Sequence, residues 1–154
     1  MSKLLAESWA DQLGGKVARL WNVFGWEAPG ERSHVIPDFV LSGLATGRIE
    51  CLTNGSELRR QLYKTDCVEG LIQLFDGASQ RADLCGERWI SVGEMASMVA
   101  ELVGAEVRLG SAKGSELLID PINQLSGWAP AVSLTEGISL VIEEARRYVN
   151  ADRP

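Results

Sequence analysis

The stretch Arg59-Arg60-Gln61-Leu62-Tyr63-Lys64-Thr65-Asp66-Cys67-Val68, continuing through Gly77 to Cys85, changes its period twice. Arg59 to Tyr63 predicts a short strand. Thr65 predicts the cap of a helix whose apolar residues Val68, Leu71, Ile72 and Phe75 recur three and four apart until Gly77 closes it. Ala82 to Cys85 predicts the next strand. Strand, helix and strand in direct succession argue for an α/β fold.

The same alternation extends in both directions. Val17 to Trp21, Ile49 to Leu52 and Glu106 to Leu109 predict further strands. Leu5, Trp9 and Leu13 share one face of an opening helix that Gly14-Gly15 ends, and Pro37 suits the first position of a helix carrying Val40, Leu41 and Leu44. Ser91-Val92-Gly93-Glu94 and Ser133-Leu134-Thr135-Glu136 both read as capping boxes, in which serine and glutamate side chains satisfy backbone N–H groups of the first turn. No repeat, linker or low-complexity tract divides the chain, so one unit is expected. A helix beginning near residue 2 and followed by a strand looks like the middle of a β-α-β series.

Composition excludes several classes. The 154 residues are 45% hydrophobic and 23% charged, as in a folded globular protein. No run of about 18 apolar residues suggests a membrane helix. The formal net charge of −6, with 21 acids against 15 bases, argues against nucleic-acid binding. Glu7 stands where a signal peptide is apolar, which predicts a cytoplasmic protein. Cys51, Cys67 and Cys85 form no C-x-x-C pair and read as small buried hydrophobes. With His34 the only histidine, no zinc cluster or Ser-His-Asp triad is expected. No G-x-G-x-x-G turn follows a strand, and Gly110-Ser111-Ala112-Lys113-Gly114-Ser115 reads as a flexible surface turn rather than a phosphate loop.

Four segments occur in a telling order. They are Arg19-Leu20-Trp21-Asn22-Val23-Phe24-Gly25, then Ser33-His34-Val35-Ile36-Pro37, then Asn54 to Asp66, and finally Gly127-Trp128-Ala129-Pro130. Together, over nearly the whole chain, they resemble the C-terminal half of the NAD-dependent epimerase/dehydratase family, the extended short-chain dehydrogenases that act on nucleotide sugars. The resemblance implies a partial α/β fold that lacks most of the Rossmann half. Residues 1–25 would be a remnant of that half, and residues 26–150 mainly the smaller substrate-binding portion.

It also implies roles. Lys3 matches the lysine of the family's Tyr-x-x-x-Lys motif, which holds the nicotinamide ribose and lowers the tyrosine pKa; the tyrosine would fall two places before Met1. Asn22 matches a residue beside the sugar-nucleotide phosphates. His34 and Val35 match the pair lining the nucleotide pocket, and Arg59 matches the strand arginine that pairs with the pyrophosphate. Departures accompany these matches: Phe24 replaces a tyrosine, Trp26 a proline, and Leu117, Leu118 and Ile119 fill the place of a second phosphate arginine.

Each residue also has a plainer reading. Arg59 suits a surface ion pair, Asn22 a turn at a strand end, His34 a polar helix start, and Lys3 an exposed first turn. Trp9, Trp21 and Trp128 suit core or interface packing. The expected function is the substrate-binding half of a nucleotide-sugar epimerase or dehydratase, inactive alone. In the complete family enzyme the cofactor is NAD or NADP; this chain alone is expected to bind neither, and no metal. The alternative is a non-catalytic binding or oligomerisation module. Expected partners are a nucleotide-diphosphate sugar and either a second copy or a chain carrying the Rossmann half, because the opening helix and its strand would leave an apolar face and an open edge.

Overall fold

The chain forms, in order, α1 (Ser2–Gln12), β1 (Val17–Leu20), β2 (Asn22–Phe24), α2 (Val35–Thr46), β3 (Arg48–Thr53), β4 (Leu58–Arg59), β5 (Gln61–Tyr63), α3 (Lys64–Asp76), β6 (Arg81–Leu84), β7 (Ile90–Ser91), α4 (Val92–Val103), β8 (Glu106–Ala112) and α5 (Leu134–Ala151). This is a computed structural model, and it describes residues 2–30, 34–115 and 118–151. The strands pair as β1 with β6, β2 with β5 and β3 with β8, all parallel, and β4 with β7 antiparallel. The α/β expectation holds.

Four local expectations are corrected. The single strand Arg59 to Tyr63 is two: β4 pairs with β7, β5 pairs with β2, and Arg60 is the corner between them. Thr65 is not a cap, because α3 starts at Lys64 with Tyr63 in the cap position. Pro37 is the third residue of α2 rather than the first. It is tolerated there because the first-turn N–H groups have no intrahelical acceptor to lose. Gly110-Ser111-Ala112 is not a surface turn but the end of β8, beside the bulge between Cys51 and Thr53. A Cβ at Gly110 would run into the Leu52 carbonyl, so the glycine permits a close approach of two backbones.

The capping readings fare better. At Ser91 both halves of the box form, the hydroxyl accepting from Glu94 N and the Glu94 carboxylate accepting from Ser91 N at 2.9 Å. At Ser133 the hydroxyl accepts from Glu136 N at 3.2 Å.

The larger core gathers Ile36, Val40, Ile49, Met95, Val99, Ile138 and Val141, where α2, α4 and α5 pack over β3 and β5. A smaller one, of Leu62, Cys67, Leu74, Ala82, Leu84 and Leu125, lies beneath α3. All three cysteines are buried and free, as expected. Two buried aspartates fasten loops to these cores. Asp66 accepts from the backbone N–H groups of Ala131 and Val132 at 3.1 and 3.0 Å. Asp83 accepts from those of Ile122 and Asn123 at 2.8 and 2.7 Å.

The opening helix is amphipathic in the inverted sense. No residue of α1 is buried. Its acidic side faces the protein: Glu7 takes a bidentate hydrogen bond from Arg19 at 2.8 and 2.7 Å and another from Arg81, which also pairs with Asp11. The Arg19 guanidinium holds the Glu7 carboxyl below its ordinary range. Leu4, Leu5, Trp9 and Leu13 are left exposed. Among the described residues β1 pairs only with β6, so its other edge is open.

Candidate functional site

Where β1 passes into β2, Trp21 separates the two strands and Asn22 enters the ladder opposite Gln61. Asn22 Nδ2 donates to the Arg60 carbonyl at 3.4 Å, which ties β2 to the β4–β5 corner. Asn22 is therefore a strand residue rather than a turn former. The corner turns the segment, so Arg59 and Gln61 both reach the same depression. Across it stands the start of α2, with His34 in the cap position in extended conformation.

These elements enclose a cleft of about 540 Å³, a size typical of small-molecule sites. Asn22, His34, Val35 and Arg59 all line it, so four of the five positions singled out from sequence meet at one place. Lys3 does not join them. It sits exposed in the first turn of α1 and is no part of the cleft lining.

The chemistry of the lining is mixed. The Arg59 guanidinium donates to the Leu58 carbonyl at 2.8 Å, and among the described residues no ion pair engages it. The plainer reading of Arg59 as half of a surface ion pair is thus not what the fold does with it. His34 is spoken for: its Nδ1 lies 2.9 Å from Glu27 Oε2, and its backbone N–H donates to the same carboxylate. Burial opposes ionisation of Glu27, and the His34 contacts outweigh it, holding the carboxyl below its ordinary value. The imidazole is a polar helix start held in place by Glu27. Asp38, Glu50 and Glu57 also line the cleft, so Arg59 is the cation among several acids.

Sequence reasoning missed Thr53, Glu57 and Gln61 in this lining. One signal was there: Glu57 lies two residues before Arg59 in an extended segment, and alternation puts both on one face. It also missed a cluster at the Arg60 corner. Arg60 stacks over Trp89 at 5.3 Å, its Nη1 donates to the Gly86 carbonyl at 3.3 Å, and Asp120 lies 3.6 Å from Nη2. Trp89 packs edge-on to Trp21 at 5.6 Å and donates from its indole nitrogen to Asp120 at 3.1 Å. Trp21 is accordingly a packing residue, and Trp128 is half-buried against the smaller core. Trp9 lies exposed on α1. Leu117, in the stretch expected to lack a phosphate arginine, lies outside the described residues.

A dinucleotide cofactor needs a glycine-rich turn between a strand and a helix N-terminus. The described residues do not form one. β1 runs through Trp21 straight into β2, and β6 is followed by Cys85-Gly86-Glu87 and then β7 rather than by a helix. Among the described residues there is also no group of His, Cys, Asp and Glu able to hold a metal ion. Among the described residues, no helix is long and apolar enough to cross a membrane.

No protein-family model matches the sequence. UDP-glucuronic acid decarboxylase 3 of Arabidopsis thaliana is 25% identical over 146 residues, spanning 90% of this chain and 43% of the relative. UDP-glucuronic acid decarboxylase 1 of Xenopus tropicalis is 28% identical over 142 residues, 86% of this chain and 33% of the relative. Among solved structures, the UDP-glucose 4-epimerase of Thermotoga maritima with UDP-glucose superposes with a TM-score of 0.77 at 22% identity, covering 95% of this chain and 51% of that one. The chain thus spans 43% and 33% of the length of these two curated relatives and about half of the solved structure. It resembles nucleotide-sugar decarboxylases in sequence and, over nearly all of its own length and about half of theirs, has the fold of solved NAD-dependent epimerase/dehydratase structures, consistent with the C-terminal half of an extended short-chain dehydrogenase.

Proposed function

We propose that the cleft between β2, the β4–β5 corner and α2 binds the diphosphate of a nucleotide sugar. One observation carries the reading: Asn22 and Arg59, matched from sequence to residues at the phosphates, and His34 and Val35, matched to the nucleotide pocket, line a single cleft. A guanidinium that among the described residues hydrogen-bonds to no carboxylate offers a planar, permanently charged fork suited to phosphate oxygens. The relatives are named for acting on UDP-glucuronic acid, and the superposed epimerase structure holds UDP-glucose. These 154 residues contain no glycine-rich dinucleotide turn, so we expect the chain by itself to bind but not to turn over. Calorimetry of the purified chain with UDP-glucose is expected to give saturable binding. An assay with UDP-glucose and NAD, without any partner chain, is expected to give no product. Absence of binding overturns the phosphate reading, and turnover overturns the expectation of inactivity.

A second reading rests on the inverted helix α1. Leu4, Leu5, Trp9 and Leu13 point away from the protein while Glu7 and Asp11 fasten the helix from beneath, and the adjoining strand β1 has an open edge. An apolar helical stripe beside an unpaired edge calls for a covering surface. We propose that a second copy, or a chain carrying the Rossmann half, provides it. Light scattering at micromolar concentration is expected to report a mass above that of one chain. A monomer without a partner, together with an unchanged mass for Trp9→Glu, counts against the second copy.

A further inference from the structure

The cleft contains a carboxylate that the phosphate reading leaves unused. Glu57 is only 9% exposed and belongs to the cleft lining. Its Oε1 accepts the Thr53 hydroxyl at 2.6 Å, whereas Oε2 is buried with no hydrogen-bond partner. The Thr53 hydroxyl first, then the residue's own backbone N–H and the Arg59 charge, outweigh burial and hold the carboxyl below its ordinary value. The backbone around it is pinned, with Val92 N–H donating to the Glu57 carbonyl at 3.0 Å and Gly93 N–H to the Gly55 carbonyl at 2.9 Å. Gly114 lies directly on the side chain, and a Cβ there would collide with Oε2. The neighbour thus covers the oxygen with a carbon and offers it no donor.

An anionic oxygen removed from water and given no donor is costly to keep, and where it lines a cavity a ligand donor relieves that cost. Glu57 and Arg59 stand two residues apart along an extended segment, which places their Cα atoms about 7 Å from each other on one face. Rotation about the last side-chain bond of a glutamate is soft, so the carboxylate can turn an oxygen toward the cleft without moving the backbone.

We propose that Glu57 is a ligand-recognising residue that accepts a hydrogen bond from a hydroxyl of a phosphorylated sugar whose phosphate is held by Arg59. The proposal rests on the phosphate reading of the cleft and adds the hydroxyl that the cleft selects. That hydroxyl belongs either to the ribose or to the hexose of a nucleotide sugar, and the experiment separates the two.

Calorimetry on the whole chain and on Glu57→Gln, with inorganic pyrophosphate, UDP, 2′,3′-dideoxy-UDP and UDP-glucose, tests it. Glutamine keeps the shape and still accepts from Thr53, but a neutral acceptor makes a bond about half as strong as a charged one. UDP-glucose is therefore expected to bind Glu57→Gln about tenfold more weakly, with pyrophosphate unchanged. If the ribose supplies the hydroxyl, UDP shows the same loss and dideoxy-UDP shows none. If the hexose supplies it, only UDP-glucose loses affinity. Unchanged or tighter UDP-glucose binding in Glu57→Gln overturns the proposal, as does an equal loss for pyrophosphate. Failure of the parent chain to bind pyrophosphate and UDP-glucose alike overturns the phosphate reading first and this one with it. Pyrophosphate binding without a Glu57 effect overturns this one alone.

Discussion

Asp66→Ala is expected to lower the stability of the fold by about 3 kcal/mol, the loss anticipated when two buried N–H groups worth about 1–3 kcal/mol each lose their acceptor. Asp66 is 2% exposed, in the first turn of α3. Its two oxygens accept from Ala131 and Val132, just ahead of α5, at 3.1 and 3.0 Å. Neither N–H can turn to water without lifting the segment that brings Leu134 and Ile138 onto the larger core. One carboxylate therefore joins the smaller core beneath α3 to the larger one around α5. At this chain length the loss corresponds to a fall in Tm of roughly 6–12 °C. Asp66→Asn keeps one acceptor and sets an amide donor against the second N–H, so a smaller but definite loss is expected. Thermal denaturation followed by far-UV circular dichroism measures both. A change in Tm within a degree for Asp66→Ala refutes the assignment.

Arg59→Ala is expected to weaken UDP-glucose binding by about 10- to 100-fold, the equivalent of losing a charged hydrogen bond of about 1.5–3 kcal/mol. The guanidinium donates within the protein to a single backbone carbonyl among the described residues, that of Leu58. Its charge also helps to keep the buried Glu57 carboxyl ionised, so a small fall in melting temperature accompanies the larger loss of binding. Arg59→Lys tests the planar fork separately: a point charge without bidentate geometry should recover only part of the lost affinity. Calorimetry with UDP-glucose and with pyrophosphate, at constant ionic strength, reads the effect. Equal losses for both ligands place Arg59 at the phosphates. An unaltered affinity in Arg59→Ala removes the guanidinium from the site.

Much of the architecture was legible in the chain because its signals are local. The helix at Ser91 announces itself by a capping box that forms as read, and Gly104 ends it in a left-handed conformation. The strand expected from Ile49 to Leu52 lies within β3, and that from Ala82 to Cys85 overlaps β6 with a shift of one residue. The misreadings share a cause. A run of strand-forming residues says nothing of which neighbour each part pairs with, so Arg59 to Tyr63 read as one strand although Arg60 turns a corner between two partners. Gly110 looked like a turn because glycine permits turns, whereas here it admits the Leu52 carbonyl in a paired sheet.

The candidate site divides in the same way. Asn22, His34, Val35 and Arg59 could be chosen from their motifs, since the types and order of these residues are written along the chain. Their convergence on one cleft depends on parallel pairing of β2 with β5 and on the placement of α2 opposite, neither of which any single segment encodes. Glu57 was passed over because an exposed glutamate and a buried one with an orphaned oxygen are spelled alike. Only packing distinguishes them, here the glycine at 114 brought against it from a distant stretch.

By itself, then, the sequence determined the alternation of helices and strands, the caps at Ser91 and Ser133, the burial of the cysteines and four of the cleft residues. Periodicity and side-chain chemistry are properties of short segments. The tertiary structure alone decided that Lys3 stands apart from the cleft, that the Arg59 guanidinium donates to the Leu58 carbonyl and to no carboxylate among the described residues, and that α1 turns its acidic side inward and its leucines and Trp9 out. Such choices follow from which surfaces compete for the same neighbour, and a one-dimensional pattern does not contain that competition.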